Sequence, residues 1–417
     1  MSRPDLLHLA HRLPFPPDKG DRIRSFYTLK YLSQFADVHL ACLADEPVPA
    51  GAVAELERHC ARVAVVPVSR WGRRWRALRA LLGGRPVTTG AFHAPPLRRL
   101  LRAWAGATRF DAALASASSM VPYLQAEELR GVPAVVDLVD VDSQKWIDYA
   151  AASRGPRSWL YRTEARRLRR LEQGLPAWTR GVVLTTPAEV AIYEGFAGPG
   201  TAHAVANGVD LDYFRPAPPS PEPACVFVGA LDYRPNVDGI VWYTSEVWPK
   251  LVQRRPDARL YVVGRKPVGA VRRLGGVPGV EVVGTVPDVR PWLARAAVAV
   301  VPLRIARGVQ NKVLEALASA RAVVASPLCL QGMSTEPGRH LLAASEPGEW
   351  VEVVGRLLED GDLRQRLGAA GRAFVEEHHC WDRCLEPLRE LLLPTACGFE
   401  ASAKPQAAHE SFPWNRA

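Results

Sequence analysis

The 417-residue sequence has no Cys-x-x-Cys pair, and its seven cysteines, at 42, 60, 225, 329, 380, 384 and 397, are an odd number scattered along the chain. This argues against a disulfide framework or a zinc ribbon. The one cluster, His378-His379-Cys380 with Cys384, lacks a second ligand pair and reads as a packed helix face rather than a metal site. No apolar run approaches the ~20 residues that span a bilayer. The first ten residues hold only a short apolar stretch interrupted by His8, without the long apolar core of a secretory signal. The expected address is therefore the cytoplasm. Lysine is scarce, at 19, 30, 145, 250, 266, 312 and 404 only, so arginine dominates the 53 basic residues. Alongside abundant Ala and Pro, that bias reflects a genome preference. No helix-turn-helix, RNP or zinc signature accompanies it, so no nucleic-acid partner is expected. Internal repeats are absent beyond a two-fold alternation of elements.

Hydrophobic residues make up 48% and charged residues 23%, the balance of a folded globular chain. Length allows about three domains of ~150 residues or two larger ones. The net charge of +10 and pI near 9.4 suggest an anionic partner, a membrane surface or a phosphorylated substrate.

Strand patterns at 5–10, 38–43, 63–68, 111–115, 132–138 and 182–185 alternate with helical ones, the first helix at 23–35. Alternation of this kind predicts an α/β fold with a parallel sheet covered on both faces. Asn207-Gly208 then marks a turn, and the proline-dense run Arg215 to Pro223 cannot pair in a sheet or continue a helix. A domain boundary is placed there. The alternation restarts with strands at 225–228, 259–263, 280–283, 298–301 and 322–325, and with helices at 237–251, 309–320 and 381–393. The predicted layout is a first doubly wound domain over 1–206, a linker over 207–223 and a second domain over 224–380. A terminal helix over 381–394, which could cross back to the first domain, and a loose tail over 395–417 follow. Two such domains put a cleft between them, with ligands beyond the carboxyl ends of the strands.

Two loops at strand ends carry the most distinctive chemistry. Pro14 to Arg24 follows the first strand and enters a helix. Gly20 permits close backbone approach to a ligand, and Arg22 and Arg24 add charge at a helix start suited to phosphate. Pro302 to Ala316 also follows a strand and enters a helix. Its Gly308 permits approach to a diphosphate, Lys312 lies one turn on, and Glu315 at i+3 faces the same side as Lys312. A cation for phosphate beside a carboxylate for sugar hydroxyls is the chemistry of a nucleotide-sugar site. An ordinary surface ion pair gives the same spacing.

These residues resemble the family 4 type glycosyltransferases, built on the GT-B fold of two Rossmann-like domains. Pro302-Leu303-Arg304 with Gly308, Lys312 and Leu314-Glu315-Ala316 is similar to that family's donor-site pattern, and Asn207-Gly208-Val209-Asp210 to its interdomain signature. Val226 to Tyr233 with Pro235-Asn236 looks like the opening of its donor domain. The opening loop and Val139 to Trp146 resemble, more narrowly, the sugar transferases of exosortase-linked exopolysaccharide systems. The resemblance runs to about residue 393. It departs where many members carry a first glutamate, here Arg307, and where Ala306, Ala320 and Ala322 replace Gly, Gly and Pro.

The resemblance implies a C-terminal donor domain in which Arg234, Arg304, Arg307, Gly308, Lys312 and Glu315 hold the donor with Gly20, while the base contacts the backbone near Val286. It implies Asp140, Lys312 and Glu315 as catalytic residues and Lys19, Arg22 and Arg24 on the acceptor side. It further implies retention of configuration and no required metal or other cofactor. Asp140-x-Asp142 has the spacing of a metal-binding Asp-x-Asp, but that spacing recurs at Asp210 and Asp360, and the helix after it offers Asp142 or Ser143 a capping role. The expected activity is transfer of a sugar from a nucleoside-diphosphate donor to a lipid-linked or oligosaccharide acceptor in exopolysaccharide or cell-surface polysaccharide assembly. The alternative is a non-catalytic nucleotide-sugar-binding scaffold. Two basic segments with tryptophan, 70–82 and 157–171, read either as binders of an anionic inner-membrane surface or as ordinary helices, the first with Trp71 and Trp75 under the sheet.

Overall fold

The computed structural model describes residues 3–218 and 222–394. The expected tail and linker residues 219–221 lie outside them. Two parallel sheets organise the chain. The first holds β1 (Asp5–Ala10), β2 (Asp37–Ala44), β3 (Arg62–Pro67), β4 (Ala112–Ser116), β5 (Ala134–Val139), β6 (Gly181–Leu184) and β7 (Ala202–Ala204), in the order 3-2-1-4-5-6-7. The second holds β8 (Ala224–Val228), β9 (Arg259–Val263), β10 (Val280–Gly284), β11 (Val298–Val301), β12 (Ala322–Ala325) and β13 (Leu342–Ala343), in the order 10-9-8-11-12-13. Both orders are the doubly wound arrangement of a Rossmann-like domain. The expected α/β class with two such domains is what the chain adopts.

The strands read as near-continuous apolar runs because both faces are covered. In the first sheet Leu7, Leu9, Leu43, Val136 and Val182 pack on one face, and Leu6, Val38, Leu40, Val135 and Val183 on the other. In the second, Val226, Phe227, Val262, Val300 and Val324 join one core with Trp248 and Trp350.

Six helices position the cleft and its rim. They are α1 (Gly20–Leu32), α2 (Arg70–Leu82), α3 (Asp142–Ala151), α4 (Pro156–Gly174), α5 (Asn311–Ala318) and α6 (Trp381–Leu392). Helix α1 starts three residues before its expected start. Lys19 is extended, Gly20 opens the helix, and the Ile23 amide already bonds to Lys19 O at 2.7 Å. Arg22 and Arg24 therefore stand on a helix rather than a loop. Helix α3 starts at Asp142, and Val141 takes the cap position without a side-chain bond. Asp142 instead accepts the Ser118 hydroxyl, and Ser143 bonds through its amide to Glu172, so neither is a cap. The helix expected over 237–251 opens into a π turn at Tyr243–Val247.

Helix α6 inserts Leu385, Leu388 and Leu392 into the core around Leu6 and Leu40, so the chain returns from the second domain to the first. The cluster before it is structural. His379 Nδ1 donates to Asn207 O at 2.8 Å, the Val209 amide donates to His379 O at 2.8 Å, and Cys384 Sγ donates to His378 O. The Asn-Gly-Val-Asp linker is thereby held from the second crossing, and Asp210 accepts from Tyr27 of α1, whose ring stacks on Trp381 at 4.9 Å.

Candidate functional site

Each sheet has a switch point where the strand order reverses, between β1 and β4 and between β8 and β11. The crevices at their carboxyl ends meet. Asn207 of the linker donates to Asn311 Oδ1 at 3.0 Å, and Gly20 at the start of α1 stands opposite Asn311.

The second-domain crevice centres on Lys312. Helix α5 starts at the end of the β11 loop and turns Lys312 back beneath β8. Its Nζ donates to Asn236 Oδ1 and lies 5.2 Å from the centre of the Phe227 ring. Asn236 in turn donates to Ala230 O at 2.9 Å, which fixes the amide. Gly229 ends the strand here, and a Cβ at that position would stand 2.8 Å from the Asn236 amide nitrogen and 3.3 Å from Lys312 Nζ. Glycine thus keeps the approach to the ammonium open. Burial pushes Lys312 down to about 8, with no acid bonded to it. Glu315 lies one turn on, and burial pushes its carboxyl up to about 7, opposed by Lys312. Among the described residues no side chain or backbone N–H bonds to that carboxylate. The pair is therefore a half-buried cation and a carboxyl that is about half protonated at neutral pH, each with bonding capacity left for a ligand.

The first domain contributes Asp140 at the end of β5. Val139 before it adopts φ +69°, which is rare for a β-branched residue and redirects the chain into the crevice. Asp140 accepts from the Thr185 hydroxyl at 3.3 Å, and burial raises its pKa against the pull of Lys145. Gly308 of the second domain sits on it at φ +61°, so close that a Cβ would fall 2.6 Å from Asp140 Oδ1. The structure thus brings Asp140, Gly308, Lys312 and Glu315 to the interdomain face. His11, after β1, bonds through Nδ1 to the Ser119 hydroxyl at 2.6 Å and packs on Phe92. Burial, with Arg12 beside it, drives its pKa down, so it is neutral.

The remaining candidates lie elsewhere. Arg307 pairs with Asp148 at 2.6 Å and Glu189 at 3.3 Å, both of the first domain. Arg304 turns to Asp238 and the Trp242 ring. Arg234 is exposed in the first turn of its helix, and Val286 packs against the second core. In this structure Arg304 and Arg307 are thus engaged by carboxylates, while Arg234 is exposed. Lys19 bonds to Glu46 at 3.2 Å, and Arg22 to Asp18 and Glu46. Arg24 is only 2% exposed and holds Asp137 at 2.6 Å, Asn207 Oδ1 at 2.8 Å and Val205 O at 3.0 Å. Asp18 and Glu46 also reach Arg265 and Lys266 of the second domain, at 3.0 and 3.1 Å. Asn236 and the Asn207–Asn311 bond were not singled out from sequence. The Pro-Asn step at a helix start after a glycine-ended strand was the available signal for Asn236. Among the described residues no group of His, Cys, Asp or Glu could hold a metal ion.

Residues 222–360, which run from just before β8 to the helix after β13, match the family described as glycosyl transferases group 1. The chain is 23% identical over 162 residues to an uncharacterised 44.6 kDa protein in the cps region of Klebsiella pneumoniae, a match over 37% of this chain and 42% of that relative's length. Its fold is similar to that of sucrose-phosphate synthase from Thermosynechococcus elongatus, with a TM-score of 0.68 and 17% identity over 93% of this chain and 98% of that one. It is also similar to Anabaena HepE in complex with UDP and glucose, with a TM-score of 0.65 and 15% identity over 93% and 98%. These likenesses cover both domains and establish the GT-B fold. Among the described residues no helix is long and apolar enough to cross a membrane.

Proposed function

We propose that the protein is a glycosyltransferase of family 4 type that moves a sugar from a nucleoside diphosphate to a lipid-linked or oligosaccharide acceptor in surface polysaccharide assembly. The observation that carries this reading is the Lys312–Glu315 pair in the glycine-floored crevice of β8 and β11, with Gly308 of the preceding loop against Asp140. Lys312 would bind the donor diphosphate and stabilise the charge that develops as it leaves. Glu315 would bond to sugar or ribose hydroxyls, and Asp140 would face the reacting sugar from the other side. The HepE complex with UDP and glucose makes a uridine nucleotide the first donor to try, and the Klebsiella relative's place in a cps region supports surface polysaccharide as the product class. We further propose retention of configuration and no metal requirement.

Membrane association belongs to the same reading. Trp71 and Trp75 are 72% and 65% exposed, so they do not lie under the sheet, and Leu78 and Leu82 continue their stripe. Docking of α2 on the anionic inner face of the cytoplasmic membrane would bring a lipid-linked acceptor to the cleft.

The test is sugar transfer from UDP-sugars to a lipid extract, with and without EDTA. Transfer that persists in EDTA and disappears in Glu315→Ala protein of unchanged melting temperature is the expected result. Donor binding without transfer by any UDP- or GDP-sugar would favour the scaffold. Loss in EDTA with rescue by Mg²⁺ would return Asp140 and Asp142 to the role of metal ligands.

A further inference from the structure

A second feature of the first domain is unassigned by this reading. Arg12, Asp45, Glu46, Arg70, Arg73 and Arg74 line a half-open cavity of about 310 Å³ between the carboxyl ends of β1 and β2 and the start of α2. Four guanidinium groups face two carboxylates there. Both carboxylates are already engaged: Asp45 by Arg12 and Arg73, and Glu46 by Lys19, Arg22 and Lys266. Arg70 and Arg74 are exposed and form no ion pair among the described residues. The Arg74 guanidinium lies over the Trp71 ring, 5.4 Å from its centre. The cavity is therefore positive, and its charge is available to an anion.

The rest of α2 gives the anion an apolar attachment. Ala80 is buried, Ala77 packs on the core, Arg73 bonds to Asp45 and Arg76 to Ala91 O, so these residues define the packed face. At 3.6 residues per turn, Trp71, Trp75, Leu78 and Leu82 lie about 180° around the helix from them. The stripe is 45 to 79% exposed and extends over roughly 16 Å, at about 1.5 Å per residue. Arg70 and Arg74 lie on the flank between the two faces, where the cavity opens. A phosphate seated among the arginines would have an apolar chain running along the stripe. Glu46, on the cavity wall, also bonds to Lys266 of the second domain, so the cavity adjoins the cleft.

We infer that this cavity is a subsite for the phosphate of a lipid-linked acceptor and that the α2 stripe takes its apolar chain. The acceptor role rests on the transferase reading; the binding does not. The probe is decyl phosphate below its micelle concentration, followed by calorimetry, with decanol, inorganic phosphate and UDP measured on the same protein. Wild type is expected to bind decyl phosphate at least tenfold more tightly than inorganic phosphate or decanol. Arg70→Ala with Arg74→Ala should weaken decyl phosphate at least tenfold and leave UDP unchanged. Trp71→Ser with Trp75→Ser should bring decyl phosphate down to the affinity of inorganic phosphate. All four side chains are exposed, and equal melting temperatures would show that the variants fold. Equal binding of decyl phosphate by wild type and the double arginine variant would overturn the inference, as would decanol binding as tightly as decyl phosphate. So would loss of phosphatidylglycerol-vesicle binding in the arginine variant as complete as in the tryptophan variant, because the arginines would then be reading bulk headgroups. Wild type that binds decyl phosphate but no nucleotide would support the subsite and overturn the donor reading.

Discussion

Two cations stand on helices that follow central strands of two similarly wound domains, and their partners set them apart. Arg24 of α1 is closed in by a buried carboxylate, Asp137, and by the linker through Asn207 and Val205. Lys312 of α5 has one amide oxygen, Asn236, and a carboxyl that burial raises to about 7. The first is a strut between sheet and linker. The second is a charge held ready for a ligand. The same strand order thus carries two kinds of site, and the partners of the cation decide which.

The largest effect should come from breaking the strut. Arg24→Ala leaves Asp137, 1% exposed, without its counter-charge, and removal of one member of a buried pair costs about 3–5 kcal/mol. The melting temperature should fall by many degrees, while any residual folded protein still binds the donor nucleotide. A nearly unchanged melting temperature with weakened acceptor use would instead make Arg24 a binding residue.

Lys312→Ala should do the opposite. Stability at neutral pH should not fall, because burial already disfavours the ammonium, whereas kcat/KM should fall by about 10²–10³, the loss seen when one preorganised donor to a developing negative charge is removed. Binding of the nucleoside without phosphates should be unaffected. Equal losses for the nucleoside and its diphosphate would place Lys312 on the base or ribose rather than the phosphates.

The contrast has a pH signature. Lys312 is depressed to about 8, so donor binding that needs its ammonium should be flat below that value and fall by about tenfold per unit above it. Lys312→Met should abolish the slope. Stability should follow the same pair. Glu315 is raised, so the folded state holds a proton that the unfolded chain releases above about 4.5, and stability falls as pH rises toward about 7. Lys312 is lowered, so stability recovers as pH rises from about 8 toward 10.5. The contribution of this pair to stability is therefore least favourable between about 7 and 8, and saturating nucleotide should remove most of that dip.

Much of this was legible in the sequence. Buried parallel strands are apolar throughout, so the strands predicted at 5–10, 259–263, 298–301 and 322–325 coincide with β1, β9, β11 and β12, and the others differ from the observed ones by at most two residues at either end. The edge strands β7 and β13, of three and two residues, are too short to show a pattern. Lys312, Glu315, Gly308 and Asp140 were legible because strand ends and helix starts are marked by glycine, proline and charge. The partners of the arginines were not. Arg24 meets Asp137 and Arg307 meets Glu189 from more than a hundred residues away, and nothing local distinguishes a cation facing a carboxylate from one facing open space. Residue type located the basic groups, but the tertiary pairings decide which of them are free.

Arg307 tests that distinction at the smallest scale. It occupies the position where many similar sequences carry a glutamate, and it was expected on the diphosphate. Here it spans the cleft to Asp148 and Glu189, one partner half exposed and the other nearly buried. Partly exposed pairs of this kind contribute about 0.2–1 kcal/mol. Arg307→Ala should therefore lower the melting temperature by a degree or two and change donor affinity by less than about fivefold. A diphosphate ligand at this position would instead give a loss approaching that of Lys312→Ala. The two outcomes differ by more than tenfold in a single titration. Arg307→Glu sharpens the comparison, since it faces two first-domain carboxylates with a third negative charge. If Arg307 only ties the domains together, the glutamate should weaken closure and raise KM for both substrates, with the donor Kd nearly unchanged. If Arg307 holds the diphosphate, the donor Kd should rise most.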